Sequence, residues 1–428
     1  MALPDTSSPS LVQEDVYSRP QHRWLALLAA VLAWGFDGVE QGVYGIMTRQ
    51  ALKDLVPAVS GLTGQLAALQ AQAASGSAEQ IAALTQQIDQ QVAPFFSLSV
   101  AMWLWGAALG GVLFGRFGDR YGRVRGLLLS VTTYATFTGL SAVTTHWTGF
   151  MACRFCGAIG LGGTWPLCVA LVVETWPGQY RALLAGAIGA AANVGMFIAA
   201  IYSRIMLAHG YGWRAIIAMG MLIGLSSLPV IAIVHEPTQW KLARVKRPRT
   251  RLAEGFSPAY RRATIVGSLL STVALLGTWG TFLWLPAYID QLTEHLPDGG
   301  TAKARIMLWQ SAGAMCGGFL GGLLAGWFGN RRSYALLCVT AWGSVLALFG
   351  ITQEYRLETV LLAVVAGIFV TAFFGWLPKY LPELYPTHIR ASGQGFSFNI
   401  GQRLSAGAHR KPVRTVHFRS APRRAGRL

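Results

Sequence analysis

Residues 115–126 read GRFGDRYGRVRG, and they follow directly on the apolar run FFSLSVAMWLWGAALGGVLF at residues 95–114. A lone acid, Asp119, lies there among four arginines: Arg116, Arg120, Arg123 and Arg125. Arginines at the end of an apolar segment are typical of the cytoplasmic face of a membrane protein. The four arginines could serve only to set the topology of the neighbouring helices. That role would not explain why an acid lies among them.

The composition agrees with a membrane location for the whole chain. Of its 428 residues, 53% are hydrophobic and 12% are charged, whereas soluble proteins carry about 25% charged residues. A helix needs roughly 20 apolar residues to cross a bilayer. Ten such spans are predicted: 24–47, 94–115, 126–145, 149–173, 182–207, 213–234, 264–289, 305–328, 333–352 and 358–381. A shorter and more polar eleventh span follows at 391–408. The sequence therefore predicts an all-α membrane protein.

The net charge of +17 does not indicate a nucleic-acid partner, because the basic residues gather on alternate loops. Segment 235–262 is rich in lysine and arginine, whereas 48–93 holds two basic residues and 146–148 holds none. By the positive-inside rule the basic loops are cytoplasmic. A multi-pass protein of the inner membrane is expected, with its N-terminus in the cytoplasm and the first apolar run kept as a span.

The chain repeats itself. Five glycines recur 207 positions later: Gly106, Gly110, Gly111, Gly115 and Gly122 align with Gly313, Gly317, Gly318, Gly322 and Gly329. At an offset of 209, ETWPGQYRALLAG (174–186) aligns with ELYPTHIRASGQG (383–395), so that Glu174, Pro177 and Arg181 match Glu383, Pro386 and Arg390. Two ordered sets at nearly one offset indicate a duplication, which is a common plan in transporters.

The repeat predicts the domain boundaries. An N-terminal bundle takes residues 1–234, with an Ala- and Gln-rich external helical insert at 49–93. A basic cytoplasmic linker follows at 235–262, then a C-terminal bundle at 263–408 and a basic tail at 409–428. The leucine and isoleucine spacing in the insert predicts a helical hairpin.

These motifs resemble those of the major facilitator superfamily. GRFGDRYGRVR is similar to its signature loop between the second and third helices, matched at Gly115, Asp119, Arg120, Gly122 and Arg125. RFCGAIGLGG (154–163) resembles its fourth-helix pattern. The E-x-x-P-x-x-x-R loops resemble those of its sugar porter and metabolite:proton symporter branches, and PELYPTHIRASGQGFSFNIG (382–401) resembles the sialate:proton symporter group.

The resemblance implies two pseudo-symmetric six-helix bundles, with about 10–11 of the family's 12 helices present here. It also implies that the 115–126 loop is a cytoplasmic latch, formed by Gly115, Asp119, Arg120, Gly122, Arg123 and Arg125, in which Asp119 pairs with basic groups and helix ends across the two halves. The second copy has Gly326 in place of the acid and Trp327 in place of the arginine. Only the N-terminal half is therefore expected to carry the full latch.

Charges inside spans are functional candidates, because burying them in a bilayer is costly. Asp37 and Glu40 lie on one face of the first span, Arg154 lies in the fourth and Arg204 in the fifth. The resemblance to proton-coupled sugar porters implies that Asp37 pairs with Arg154 and exchanges a proton. Glu40 is a second candidate, and a static buried pair is the structural alternative.

Polar and aromatic residues within the spans are candidates for substrate binding. The candidate binding residues are Arg204, Trp279, Trp284, Gln310, Trp376 and Asn399, although tryptophan is also enriched at membrane interfaces. A sugar acid or another small organic anion is favoured, and a sugar remains open. The expected partners are this substrate, protons and lipid. The protein is expected to be a monomer and to use the proton gradient without a cofactor. No metal site or enzyme motif is found.

Two alternatives to a proton-coupled importer remain open. One is a sugar facilitator or an exporter of the same fold. The other follows from the end of the chain: span eleven is short and polar, no twelfth apolar span follows, and 409–428 is strongly basic. The chain is therefore expected to be truncated or altered there, which allows a transport-inactive protein or a membrane sensor.

Overall fold

The computed structural model describes residues 20–71, 78–246, 254, 257–293, 299–352 and 354–408. The predicted tail at 409–428 lies outside these residues. The described residues form helices α1 to α14: Pro20–Leu55, Pro57–Ala71, Ala78–Tyr121, Arg123–Ala142, Trp147–Thr175, Arg181–Ala208, Trp213–Ser226, Leu228–Ala232, Thr238–Lys246, Arg261–Leu292, Gly299–Trp327, Asn330–Ile351, Leu357–Tyr380 and Arg390–Ala408.

Each predicted span follows a helix of the structure, except that 213–234 is divided between α7 and α8. Seven of the described segments are long and apolar enough to cross a membrane: 83–121, 147–175, 178–208, 213–232, 258–282, 330–351 and 357–384. The protein is therefore an all-α, multi-pass membrane protein, as predicted.

The insert differs from its predicted form in one respect. Residues 49–55 continue α1, and the second arm does not end near 93 but runs on as the first part of α3, with Pro94 inside the helix. Arg49 and Lys53 bind the Asp89 carboxylate at 3.0 and 3.3 Å and tie the two arms together. The two arms of the hairpin thus continue the first and second predicted spans and do not form a separate unit.

The duplicated glycines make equivalent contacts in the two halves. A Cβ on Gly110 would lie 1.8 Å from the Ile159 oxygen, and one on Gly317 would lie 2.1 Å from the Ile368 oxygen, so each packs α3 on α5 or α11 on α13. Their neighbours Gly111 and Gly318 face the opposite half, at α14 and α6 respectively. The second and eighth predicted spans therefore hold the same place in each bundle.

The linker contributes a helix that sequence patterning did not predict. Helix α9 buries Trp240, whose indole N–H donates to the Asp119 carbonyl oxygen at 2.9 Å. The linker therefore packs directly under the 115–126 loop.

Candidate functional site

Helix α1 is held against α6 by glycines at a very close approach. A Cβ on Gly38 would lie 2.1 Å from the Ala192 oxygen, and one on Gly195 would lie 1.8 Å from the Gly35 oxygen. Only glycine leaves room for this contact. It fixes the depth and rotation of α1, and so it fixes where Asp37 lies.

A cavity lined by residues of both halves lies between them. Helices α1, α3, α5 and α6 line it from the N-terminal half, and α10, α13 and α14 line it from the C-terminal half. Its polar lining residues are Asp37, Gln41, Asn193, Thr278 and Asn399. Its aromatic lining residues are Trp34, Trp103, Trp165, Phe282, Phe374 and Phe398. The wall is thus mostly aromatic and apolar, as in typical small-molecule sites.

Asp37 belongs to this wall and is fully buried. One carboxylate oxygen accepts a hydrogen bond from Gln41 Nε2 at 2.7 Å. The other has no partner of normal geometry among the described residues. None of the described lining residues is a lysine, arginine or histidine. The carboxyl is therefore available to a proton or a ligand in the cavity.

The predicted pair of Asp37 with Arg154 is wrong in this structure. Arg154 Nη1 instead donates to Glu40 Oε1 at 2.6 Å, and both side chains are buried. Glu40 lies about 4.5 Å further along α1, toward the end where α5 begins, and Arg154 is only seven residues from that beginning. The Arg154 guanidinium lies 4.8 Å above the Tyr44 ring. The pair forms a separate cluster behind the cavity wall.

The predicted substrate residues are dispersed. Asn399 lines the cavity and donates to the Gly162 oxygen at 3.2 Å. Gln310 is buried between α11 and α13 and is not a described lining residue. Trp376 donates to the Asn330 oxygen at 3.0 Å, at the basic-loop end of its helix. Arg204 is exposed on α6. The side chains of Trp279 and Trp284 lie outside the described residues.

Sequence reasoning missed most of the aromatic wall. One signal was available for Trp34, since it lies three residues before Asp37 and so on the same helix face. Trp165 follows the fourth-helix glycine pattern, and its ring stacks on Phe398 of the other half at 4.2 Å between centroids. That contact crosses the halves, so no local pattern could predict it.

At the basic-loop end the halves are joined through Asp119. Its carboxylate accepts hydrogen bonds from the backbone N–H groups of Ala391 and Ser392, at 3.1 and 2.8 Å, and from Arg123 on its own loop. Ala391 and Ser392 begin α14, and a helix N-terminus favours an anion. This is the contact with a helix end that the family resemblance implied.

Arg123 extends the contact into a charge cluster, which we define as Asp119, Arg123, Glu174 and Arg390. Arg123 is fully buried and binds Glu174 through Nε and Nη2, at 3.1 and 2.9 Å. It also donates to the Thr387 oxygen at 2.7 Å. Arg390 of the other half binds the same Glu174 at 3.0 Å. Two acids and two guanidinium groups thus balance inside the protein.

The two halves use their loop motifs differently. Glu174 of the first copy meets Arg390 of the second, whereas Glu383 accepts a hydrogen bond from Asn330 at an exposed position. Gly326, which replaces the acid in the second copy, contacts Ala182 closely instead, and Trp327 is exposed. Within the described residues, the charge cluster therefore takes both of its acids and Arg123 from the first copy, and takes Arg390 from the second.

Not all four arginines of the 115–126 loop bind Asp119. Arg120 is exposed and lies 5.1 Å from the Tyr121 ring, and Arg125 is exposed as well. Among the described contacts only Arg123 binds it, because Arg123 lies one turn further along the chain on the buried side.

Gly122 separates Asp119 from Arg123's helix and has a φ of 126°. The Glu236 carboxylate fills the space beside it and accepts from the backbone N–H groups of Val124 and Arg125, at 3.2 and 3.1 Å, as a cap of α4. Burial raises the pKa of the Glu236 carboxyl, and these hydrogen bonds act in the opposite direction. Pro177 and Arg181 lie at the neighbouring start of α6.

We expect Gly122→Ala to lower the stability more than Gly329→Ala. Both positions have a positive φ, which disfavours a side chain by about 1 kcal/mol. A Cβ at 122 would also lie 2.1 Å from Glu236 Oε1, whereas one at 329 meets nothing within 4 Å. Melting temperatures of the two variants in detergent measure the difference. Equal losses would contradict the role given to the Glu236 cap.

Comparison with known proteins agrees with this architecture. The chain is 28% identical over 399 residues to a putative metabolite transport protein of Haemophilus influenzae, covering 89% of this chain and 86% of that one. It is 27% identical to the cis,cis-muconate transport protein of Acinetobacter baylyi, over 70% and 73% of the two chains. It is 25% identical to the sialic acid transporter NanX of Escherichia coli, over 68% and 71%. These relatives are transporters, not enzymes.

The fold is also that of a solved transporter. The proton:xylose symporter XylE, bound to 6-bromo-6-deoxy-D-glucose, superimposes with a TM-score of 0.68 at 16% identity, over 91% of this chain and 87% of that one. The sequence profile of the Major Facilitator Superfamily matches residues 55–408. From its duplicated helices, its inter-half cavity and this match, the chain belongs to the Major Facilitator Superfamily.

Proposed function

We propose that the protein is a proton-coupled symporter that moves a small organic acid across the inner membrane by alternating access. The observation that carries the proposal is the position of Asp37. It is a fully buried carboxyl in the wall of the inter-half cavity, and the described lining residues include no cation to balance it.

Electrostatics explains why such a site couples two solutes. Two like unit charges 4 Å apart repel by about 4 kcal/mol at an effective dielectric constant near 20. An organic anion in the cavity therefore binds far better when Asp37 carries a proton. Binding of the anion and of the proton each favours the other by the same factor, so the loaded carrier holds both.

The arrangement of the halves fits one state of the transport cycle. Among the described residues, hydrogen bonds and ion pairs join the two halves only between the cavity floor and the basic-loop end. They are Asn399 to Gly162, Gln394 to Pro166, Arg390 to Glu174, Arg123 to Thr387, and Ala391 and Ser392 to Asp119. With the basic loops in the cytoplasm, this is a state closed on the cytoplasmic side. The charge cluster would then be the latch that holds it closed.

The substrate class follows from the wall and from the relatives. An aromatic, mostly apolar lining with a few amides suits a small acid with an apolar frame better than a polyhydroxylated sugar, which would need a polar partner for each hydroxyl group. Muconate and sialic acid, carried by the two relatives named for them, are both carboxylic acids. We therefore favour a carboxylate over a neutral sugar as the substrate. The buried Asp37 carboxyl in the cavity wall favours proton-coupled import over facilitated diffusion.

Proton movement tests the proposal directly. We expect purified protein in liposomes to take up cis,cis-muconate or nicotinate more readily than the polyhydroxylated sialic acid, with alkalinisation of a weakly buffered outer medium as each is added. A pH electrode and labelled substrate measure the two fluxes together. Uptake without alkalinisation would indicate a facilitator, and no uptake of any of the three would reject the substrate class.

A further inference from the structure

The buried tryptophans differ in the state of their indole N–H groups. Seven tryptophans of the described residues are buried. Four of them donate to an oxygen: Trp176 to Arg23 O, Trp213 to the Asp54 carboxylate, Trp240 to Asp119 O and Trp376 to Asn330 O, at 2.9 to 3.0 Å. The other three have no partner among the described residues: Trp34, Trp103 and Trp165.

The three unpartnered indoles all belong to the cavity wall, and the four partnered ones do not. They come from three different helices, α1, α3 and α5, and each is at least nine-tenths buried. A buried donor without an acceptor is costly, and natural proteins keep few of them. Three in one wall indicate that the acceptor is a ligand.

We propose that Trp34, Trp103 and Trp165 form a donor site that binds the carboxylate oxygens of the transported acid. The inference rests on the proposed function and adds the residues that recognise the substrate. An indole N–H can donate but cannot accept. The site therefore favours a carboxylate over an ammonium group or another donor, without a cation in the described wall.

Neighbouring rings hold the donors in place before a substrate arrives. Trp103 stacks on Tyr44 with 5.5 Å between ring centroids, and Trp165 stacks on Phe398 at 4.2 Å. Rigid donors lose little conformational freedom when they bind. Trp34 lies one helical turn from Asp37, so an acid bound by the three indoles lies next to the carboxyl that carries the proton. Recognition and coupling thus share one site.

Tryptophan-to-phenylalanine substitutions test the inference, because they remove the N–H and keep an aromatic ring. We expect Trp34→Phe, Trp103→Phe and Trp165→Phe each to weaken binding of cis,cis-muconate and nicotinate by about tenfold, the loss expected for a hydrogen bond to a charged group. Isothermal titration of the purified full-length protein at pH 6 measures it. Nicotinamide keeps the ring of nicotinate without its carboxylate and should bind weakly to all forms.

Trp176→Phe and Trp213→Phe are the matched controls, since their N–H groups bind protein oxygens outside the cavity. Their affinities should stay within about twofold of the wild type, and melting temperatures show whether each variant is folded. The inference is overturned if the cavity variants bind both acids as the wild type does, if the controls lose as much, or if the wild type binds neither acid. Acid binding without proton uptake would instead reject the coupling and keep the donor site.

Discussion

Asp37→Asn should abolish accumulation of the substrate against a gradient and leave exchange intact. A monoanion that crosses with one proton transfers no net charge, so the pH gradient drives its accumulation, and one pH unit allows about tenfold. Asparagine has nearly the same shape as a protonated aspartate, so the substrate still binds and the halves still rock. It cannot release a proton, so the gradient no longer drives the cycle. Proteoliposomes with an imposed pH gradient, acidic outside, measure accumulation, and counterflow of labelled substrate measures exchange.

Asp89→Asn is the matched control for this variant. It makes the same chemical change in the external hairpin, where the carboxylate binds Arg49 and Lys53 at a partly exposed position. It should keep at least most of the wild-type accumulation. Unchanged accumulation in Asp37→Asn would remove Asp37 from the coupling, and loss of counterflow would show that the carboxyl is needed for binding itself.

Arg123→Met should destabilise the protein by about 3–5 kcal/mol, the cost of breaking a buried ion pair from one side. Arg123 is fully buried and bonds Asp119, Glu174 and the Thr387 oxygen, so its loss leaves two buried carboxylates undercompensated. Methionine fills a similar volume, so the effect is one of charge and not of a cavity. Melting temperature in detergent, with the yield of monodisperse protein, measures it.

Arg120→Met, in the same loop, should change the stability by no more than about 0.5 kcal/mol, because Arg120 is exposed. The double variant Arg123→Met with Glu174→Met should recover part of the loss, since it removes one of the unbalanced acids. Equal melting temperatures for Arg123→Met and Arg120→Met would contradict the central place given to Arg123 in the charge cluster.

Local patterns in the sequence predicted the helices and the duplication well. Apolar runs decide whether a segment crosses a bilayer, and each predicted span except 213–234 follows one helix. The contact of Asp119 with a helix end was expected from the family resemblance, whereas the local pattern alone left open that the arginines only set the topology. The functional role of that contact as a latch stays a prediction.

The partners of the intramembrane charges were not predictable from the sequence. Asp37 and Glu40 are three residues apart on one face, and only the depth of α5 decides which of them Arg154 meets. Arg154 pairs with Glu40 because Glu40 is nearer than Asp37 to the beginning of α5. The cavity wall shows the same limit, since Trp34, Trp103 and Trp165 come together only through the packing of three helices.

The C-terminal half offers Asp119 two backbone N–H donors, with the Ser392 hydroxyl beside them, and this has an evolutionary consequence. Nearly any residue at positions 391 and 392 still offers an N–H at the start of α14, and only proline removes it. Genetic drift in the C-terminal half therefore leaves the receptor for Asp119 intact. For these two backbone hydrogen bonds, the side chain that must be kept is Asp119 in the N-terminal half.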